Sequence, residues 1–296
     1  MERADLFSLC TSPFLVIIGN GNYCMSGGYD KYILLWNPHQ NKQIKVFKGH
    51  GYQVMDISIA FDNGSFVSCG GDKQPFMWDV GTGVIVRKVK GHDQMINSVA
   101  FNADASIFVS GSYDQTAKIW DCKSRSFDPI QVLDGATDSV TGVQIGESEI
   151  YTSSVDGCLR SYDLRMGQLR IDHIGTPLTY VALSKCGRMI LVSCLDGTVR
   201  LLDRYDGSLI REFSGHVNRE FKLDATFFND DAMVVSGSED GLLYAWDVES
   251  GTATSVVAHA RMVSGVSAHP DGEYVLTSSA DTTLKLWKWT EQAKVV

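Results

Sequence analysis

One aspartate recurs along this chain at an almost constant interval. Asp30, Asp72, Asp114, Asp156, Asp196, Asp240 and Asp281 are separated by 42, 42, 42, 40, 44 and 41 residues. Six residues after each stands a large side chain: Trp36, Trp78, Trp120, Tyr162, Leu202, Trp246 and Trp287. Self-similarity at a period of about 40 residues marks an array of supersecondary units rather than one irregular core.

Each unit has the same internal grammar. In the third, "INSVAF", "IFVSGS", "TAKIWDC" and the short "QVL" are β-prone runs separated by turn chemistry such as "NADAS" and "YDQ". Nothing has the length and period of an amphipathic helix. A lone four-stranded unit cannot bury both its faces, whereas stacked units can. Stacking in a ring leaves only short, protected edges. Seven repeats predict seven blades in a single domain spanning residues 1–296.

Where the motif is complete, a histidine, a hydroxyl residue, the turn aspartate and the tryptophan keep fixed intervals. The sets are His50/Ser68/Asp72/Trp78, His92/Ser110/Asp114/Trp120, His216/Ser236/Asp240/Trp246 and His259/Thr277/Asp281/Trp287. Serine, histidine and aspartate invite a hydrolase reading. Four copies argue against it, since an enzyme needs one nucleophile in one cleft, and no G-x-S-x-G elbow occurs. A chain of mutually satisfied buried polar groups tying inner to outer strands explains the repetition better.

The same ruler finds degenerate units. The fourth has Ala136 and Tyr162 at the His and Trp positions. The fifth has Ile174, Val192 and Leu202 at the His, Ser and Trp positions, and the first has no Gly-His pair. These gaps predict that blades four and five are the least tightly tied.

The Gly-His pairs (Gly49-His50, Gly91-His92, Gly215-His216) and Trp-Asp pairs (Trp78-Asp79, Trp120-Asp121, Trp246-Asp247) resemble those of the WD-repeat β-propeller family. The resemblance implies an all-β, seven-bladed propeller. The last repeat stops soon after Trp287. Closure then falls either to an N-terminal strand, Ala4 to Cys10, on the outer edge of blade seven, or to Thr290 to Val296 folding back. Further stretches, "GNYC", "GHGYQVMD", "YDLRMGQL" and "GHVNREFKLD", closely resemble the mitogen-activated protein kinase organizer proteins from about Gly19 to Trp287. That likeness implies a non-enzymatic scaffold linked to kinase-cascade components and to splicing factors, in cytoplasm and nucleus.

Family propellers gather partner-binding positions around the narrow top face. One is the residue before each turn aspartate; others lie three and five residues after the Gly-His histidine. Carried over, these give Tyr29, Gln53, Met55, Met95, Asn97, Tyr113, Phe221, Glu239 and Met262, with Tyr29, Met55, Met95 and Tyr113 as anchors for a short peptide. Aromatic residues and methionine are enriched at such interfaces. "KIWDCK" and "SYDLR" also resemble the W-D-x-[RK] box by which propellers dock cullin-ligase adaptors. That gives an alternative function, a ubiquitin-ligase substrate receptor using Lys123 or Arg165.

Other classes find little support. The net charge of −9 disfavours a broad nucleic-acid face. No phosphate-binding glycine loop is present, so no cofactor is expected. Seven cysteines with no C-x-x-C pair indicate neither a disulfide framework nor a zinc site. His39, His173 and His269 are scattered, which predicts no metal centre. The start "MERADLFSLC" is a poor signal peptide, no apolar run is long enough to span a bilayer, and a monomeric subunit of larger complexes is expected.

Overall fold

A computed structural model describes the strand backbones of 2–8 and 14–17 and, in full, residues 21–124 and 126–289. The described residues form seven antiparallel four-stranded sheets and no helix, so no helix is long and apolar enough to cross a membrane. Each sheet is one blade. Chain order runs from inner to outer strand within six of them. Blade three shows the plan: Ile96–Phe101, Ile107–Ser112, Ala117–Asp121 and Gln131–Leu133, the four runs expected from the sequence. The first strand of each blade packs against those of its neighbours, which closes the ring around an axial channel.

Blade seven is built from both ends of the chain. Val263–Ala268, Tyr274–Ser279 and Thr283–Lys288 supply three strands, and Glu2–Ser8 pairs antiparallel with the last, Ser8 opposite Thr283 and Glu2 opposite Lys288. The N-terminal alternative therefore holds, displaced by two residues from the expected start at Ala4. Leu9, Cys10 and Thr290 to Val296 lie outside the described residues.

The core is a set of clusters between blades. Trp78 stacks on Phe66 at 5.6 Å, and Trp120 on Phe108 at 6.1 Å. Burying such rings, with offset stacking, contributes more than area alone. Residue 31 and its equivalents follow each turn aspartate at positive φ, from 61° at Lys73 to 86° at Gly241. That left-handed turn reverses the chain between second and third strands. Glycine takes it freely at Gly157, Gly197 and Gly241.

Candidate functional site

The repeated polar set closes in three blades. In blade three His92 Nδ1 lies 2.8 Å from Asp114 Oδ2 and its Nε2 2.8 Å from Ser110 Oγ, which also accepts from Trp120 Nε1 at 2.8 Å. Blade two repeats this through His50, Asp72, Ser68 and Trp78 at 2.7, 2.6 and 2.8 Å. Blade seven repeats it through His259, Asp281, Thr277 and Trp287. The imidazoles are buried between strands, so each set is a structural brace. Burial alone would raise the Asp114 carboxyl; hydrogen bonds from His92 and Thr116 outweigh it and hold it well below the usual carboxylate range. Asp281 is likewise lowered, to about 2, burial again opposing and Thr283, the Ala260 N–H and His259 prevailing.

Blade six departs from the expected set. His216 is buried, yet neither ring nitrogen has a hydrogen-bond partner among the described residues. Trp246 Nε1 donates instead to the Ser214 carbonyl at 3.1 Å, and Ser236 Oγ to the Gly237 carbonyl at 3.1 Å. Asp240 is exposed and accepts from Leu242 N at 2.9 Å. The cause is the two-residue insertion after His216. Ser238 Oγ takes the Val217 N–H at 3.0 Å, and the imidazole packs on Trp246 and Tyr244 at 5.4 and 6.2 Å.

Blades four and five replace the histidine with arginine. Arg160, four residues after Asp156, is buried and grips it through Nη1–Oδ1 at 3.1 Å and Nη2–Oδ2 at 2.7 Å. Arg200 reaches Asp196 at 2.8 Å, Glu212 at 3.1 Å and the Ile174 carbonyl at 3.1 Å. The gaps in the sequence pattern are therefore filled by a different bond. A guanidinium is suited to this because its planar fork matches a carboxylate.

On the top face the two families of partner positions do meet. The residue before the turn aspartate donates its N–H to the residue three after the histidine: Gly71 to Gln53 at 3.1 Å, Tyr113 to Met95 at 2.9 Å, Ala280 to Met262 at 3.1 Å. Tyr29 and Tyr113 are 62% and 53% exposed and Phe221 44%; Gln53, Met55, Met95 and Met262 are half-buried.

Two of the expected partner residues are committed elsewhere. The residue five after the histidine is a β-bulge on the inner strand, as the register breaks between Val54 and Asp56 and between Ile96 and Ser98 show. A bulge re-aims its side chain. Asn97 is accordingly buried and donates from Nδ2 to Ser139 Oγ at 3.0 Å and the Val140 carbonyl at 2.8 Å, tying blade three to blade four. Glu239 accepts the backbone N–H groups of Arg219, Glu220 and Phe221 through Oε1 at 2.8, 2.8 and 3.1 Å. Through these bonds it positions the inserted loop and Phe221.

Tyr52, 60% exposed, belongs with the top-face aromatics and escaped the sequence reading. It sits two residues after His50, off the three-and-five spacing. The signal lay in an unexplained aromatic beside a Gly-His pair. His39 and His269, scattered in sequence, lie together with ring centroids 6.1 Å apart. Among the described residues no three His, Cys, Asp or Glu converge as metal ligands. In the cullin-box stretches Asp121 and Asp163 accept N–H groups within their own turns, while Lys123 and Arg165 are exposed.

The axial channel holds a second polar group. A cavity of about 460 Å³ is lined by Asp56, Ser98, Tyr180 and Asp224 among others. Lys222 Nζ donates to the Asn97 carbonyl at 2.9 Å and lies 3.9 Å from Asp56. Burial raises the Asp224 carboxyl to about 7.

Seven blades, each bearing the turn aspartate and most a hydroxyl–Trp bond, define a WD-repeat β-propeller. A family model described as WD domain, G-beta repeat matches residues 41–79, 83–121, 168–203, 207–247 and 251–288. The chain belongs to this family. It is 52% identical over 270 residues to WD repeat domain-containing protein 83 of Rattus norvegicus, covering 91% of this chain and 85% of that one. To the protein of the same name in Homo sapiens it is 51% identical over 275 residues, covering 93% and 86%. To an uncharacterized WD repeat-containing protein of Schizosaccharomyces pombe it is 47% identical over 292 residues, covering 97% and 98%. The matched segments leave out most of blades one and four, two of the degenerate units.

Proposed function

We propose that this chain is a non-enzymatic scaffold that holds short segments of partner proteins on its top face. Its setting is mitogen-activated protein kinase signalling and pre-mRNA splicing, in cytoplasm and nucleus, as a monomeric subunit of larger complexes. Membership of the WD-repeat family supports protein–protein interaction in general, and the likeness to the kinase organizer proteins supports the setting. The observation that carries the site is four exposed aromatics on one face: Tyr29, Tyr52, Tyr113 and Phe221. Large rings at low conformational cost are the usual anchors of an interface.

The test is a partner pull-down with Met95→Glu/Tyr113→Glu, after normal melting is established. Loss of kinase-cascade and splicing proteins supports the reading; a folded double variant that keeps every partner overturns the site. Co-purification of a cullin adaptor, lost in Lys123→Ala or Arg165→Ala, would instead favour a ligase receptor.

A further inference from the structure

The top face is electrically divided. Over blades one and two it carries lysines and tyrosines. Tyr29, Tyr52 and Tyr32 are 62%, 60% and 41% exposed, and Lys31, Lys48 and Lys73 are exposed beside them. These residues are contiguous. The Gly28 carbonyl accepts both Lys31 N and Val54 N, at 3.2 and 3.0 Å, which sets the first blade's turn against Tyr52. On the other side Gly71, two residues before Lys73, bonds to the Gln53 carbonyl at 3.1 Å. Lys31 Nζ stands 5.9 Å from the centre of the Tyr52 ring, and Lys48 Nζ 5.3 Å from that of Tyr32. None of the three lysines forms an ion pair with a described residue. The nearby carboxylates are turned to other work: Asp30 accepts Tyr32 N at 3.1 Å, and Asp72 is held by His50 and the Gly51 N–H. Over blades four to six the exposed charges at the same level are Asp138, Asp196, Glu220 and Asp240, with Arg219 among them.

The two central lysines occupy an unfavourable place. Lys31 and Lys73 follow turn aspartates at φ 71° and 61°, where three of the seven blades use glycine. A non-glycine residue there costs on the order of 1 kcal/mol. Gln115 and Thr282 take the same conformation at φ 69° and 68°, so side chains are tolerated there, and it is the pair of cations on adjacent blades that stands out on a chain of net charge −9.

We propose that blades one and two of the top face bind an acidic linear segment of a partner protein, rich in Asp and Glu and carrying an apolar side chain for the Tyr29–Tyr52 surface. The inference rests on the top face being the peptide site and names the chemistry of its occupant. Separated ammonium groups match carboxylates spread along a peptide. A single phosphate would favour the forked geometry of arginine, and no arginine stands among these residues. The acidic arc over blades four to six repels the rest of such a segment and fixes which way it lies.

The experiment is selection of a random displayed peptide library on the immobilised full chain. The most enriched peptide is then synthesised and titrated against wild type, Lys31→Glu/Lys73→Glu and Met95→Glu/Tyr113→Glu. Enriched sequences should carry an excess of Asp and Glu. Affinity should fall about tenfold or more in the lysine double variant and fall with added salt. Peptides that need Met95 and Tyr113 but show no acidic excess, or bind the lysine variant unchanged, overturn this inference and leave the top-face site standing. Binding insensitive to both double variants, or no enrichment at all, overturns both. A phosphoserine version that binds more than tenfold tighter than its Asp counterpart would make the occupant a phosphopeptide and overturn the assignment to Asp and Glu.

Discussion

Lys222 of blade six donates to the carbonyl oxygen of Asn97 in blade three at 2.9 Å. The two inner strands stand almost opposite each other in a seven-bladed ring, so one side chain spans the axial channel. It also joins two things that the sequence separates by 125 residues: the inserted loop that carries Phe221, and the bulge that ties blade three to blade four.

Lys222→Met keeps the length of the side chain and removes its charge. A hydrogen bond from a charged donor contributes about 1.5–3 kcal/mol when well buried, and this one is partly screened. We expect a loss of about 1–2 kcal/mol, read as a lower melting temperature. Faster amide exchange should appear over residues 217–224. Unchanged exchange there would mean that Glu239 alone holds the loop.

Asp114 and Asp240 occupy equivalent turns and should respond differently. Asp114→Ala strands His92 in a closed brace and should cost about 1–3 kcal/mol. Asp240 is exposed and free of His216, so Asp240→Ala should melt close to wild type. Equal losses in chemical denaturation would contradict the open geometry of blade six.

Two buried groups should cancel each other's pH dependence. Burial lowers the His216 imidazole to about 4, so between its folded and unfolded values only the unfolded chain binds that proton and stability rises with pH. The Asp224 carboxyl, raised to about 7, holds its proton only in the folded state over the same window, so stability falls with pH. Each alone contributes a slope of about 1.4 kcal/mol per pH unit. From roughly pH 4 to 6.5 the two oppose, given an ordinary imidazole value near 6.5 in the unfolded chain. Asp224→Asn should therefore gain a stability that climbs with pH across this window, and His216→Gln one that declines. Denaturant midpoints measured against pH decide it; an Asp224→Asn profile parallel to wild type would refute the cancellation.

Arg160→Leu should be more damaging than its degenerate blade suggests, because it leaves Asp156 half-buried without its fork; breaking such a pair costs about 3–5 kcal/mol when fully buried, and less here. Adding Asp156→Asn should recover part of the loss. In the intact protein, amide exchange over 151–162 should be as slow as over 98–120. Markedly faster exchange would show that the arginine does not replace the histidine brace.

The number of blades, the four strands of each and the turn between second and third strand were legible in the residues. They depend on local alternation and on an aspartate that caps its own turn, and the period of about 42 repeats that evidence seven times. The all-β ring follows from the same pattern, whereas the sequence left two candidates for the outer strand of blade seven and the pairing of Glu2–Ser8 with Thr283–Lys288 decided between them. Bond partners were another matter. His216 matches His92 in spacing, but a two-residue insertion alters the path beside it, and only the packed blade shows the ring left without a partner. Ala136 and Ile174 are lost braces by spacing alone, yet Arg160 and Arg200 reach Asp156 and Asp196 from the third strand. Asn97 and Glu239 sat at partner positions by count, yet one is turned by a bulge into a seam between blades and the other is wrapped by backbone N–H groups. Spacing along the chain specifies where a Cα lies within a blade. Which atom a side chain meets depends on bulges, insertions and the neighbouring blade, and those are fixed only when the ring closes.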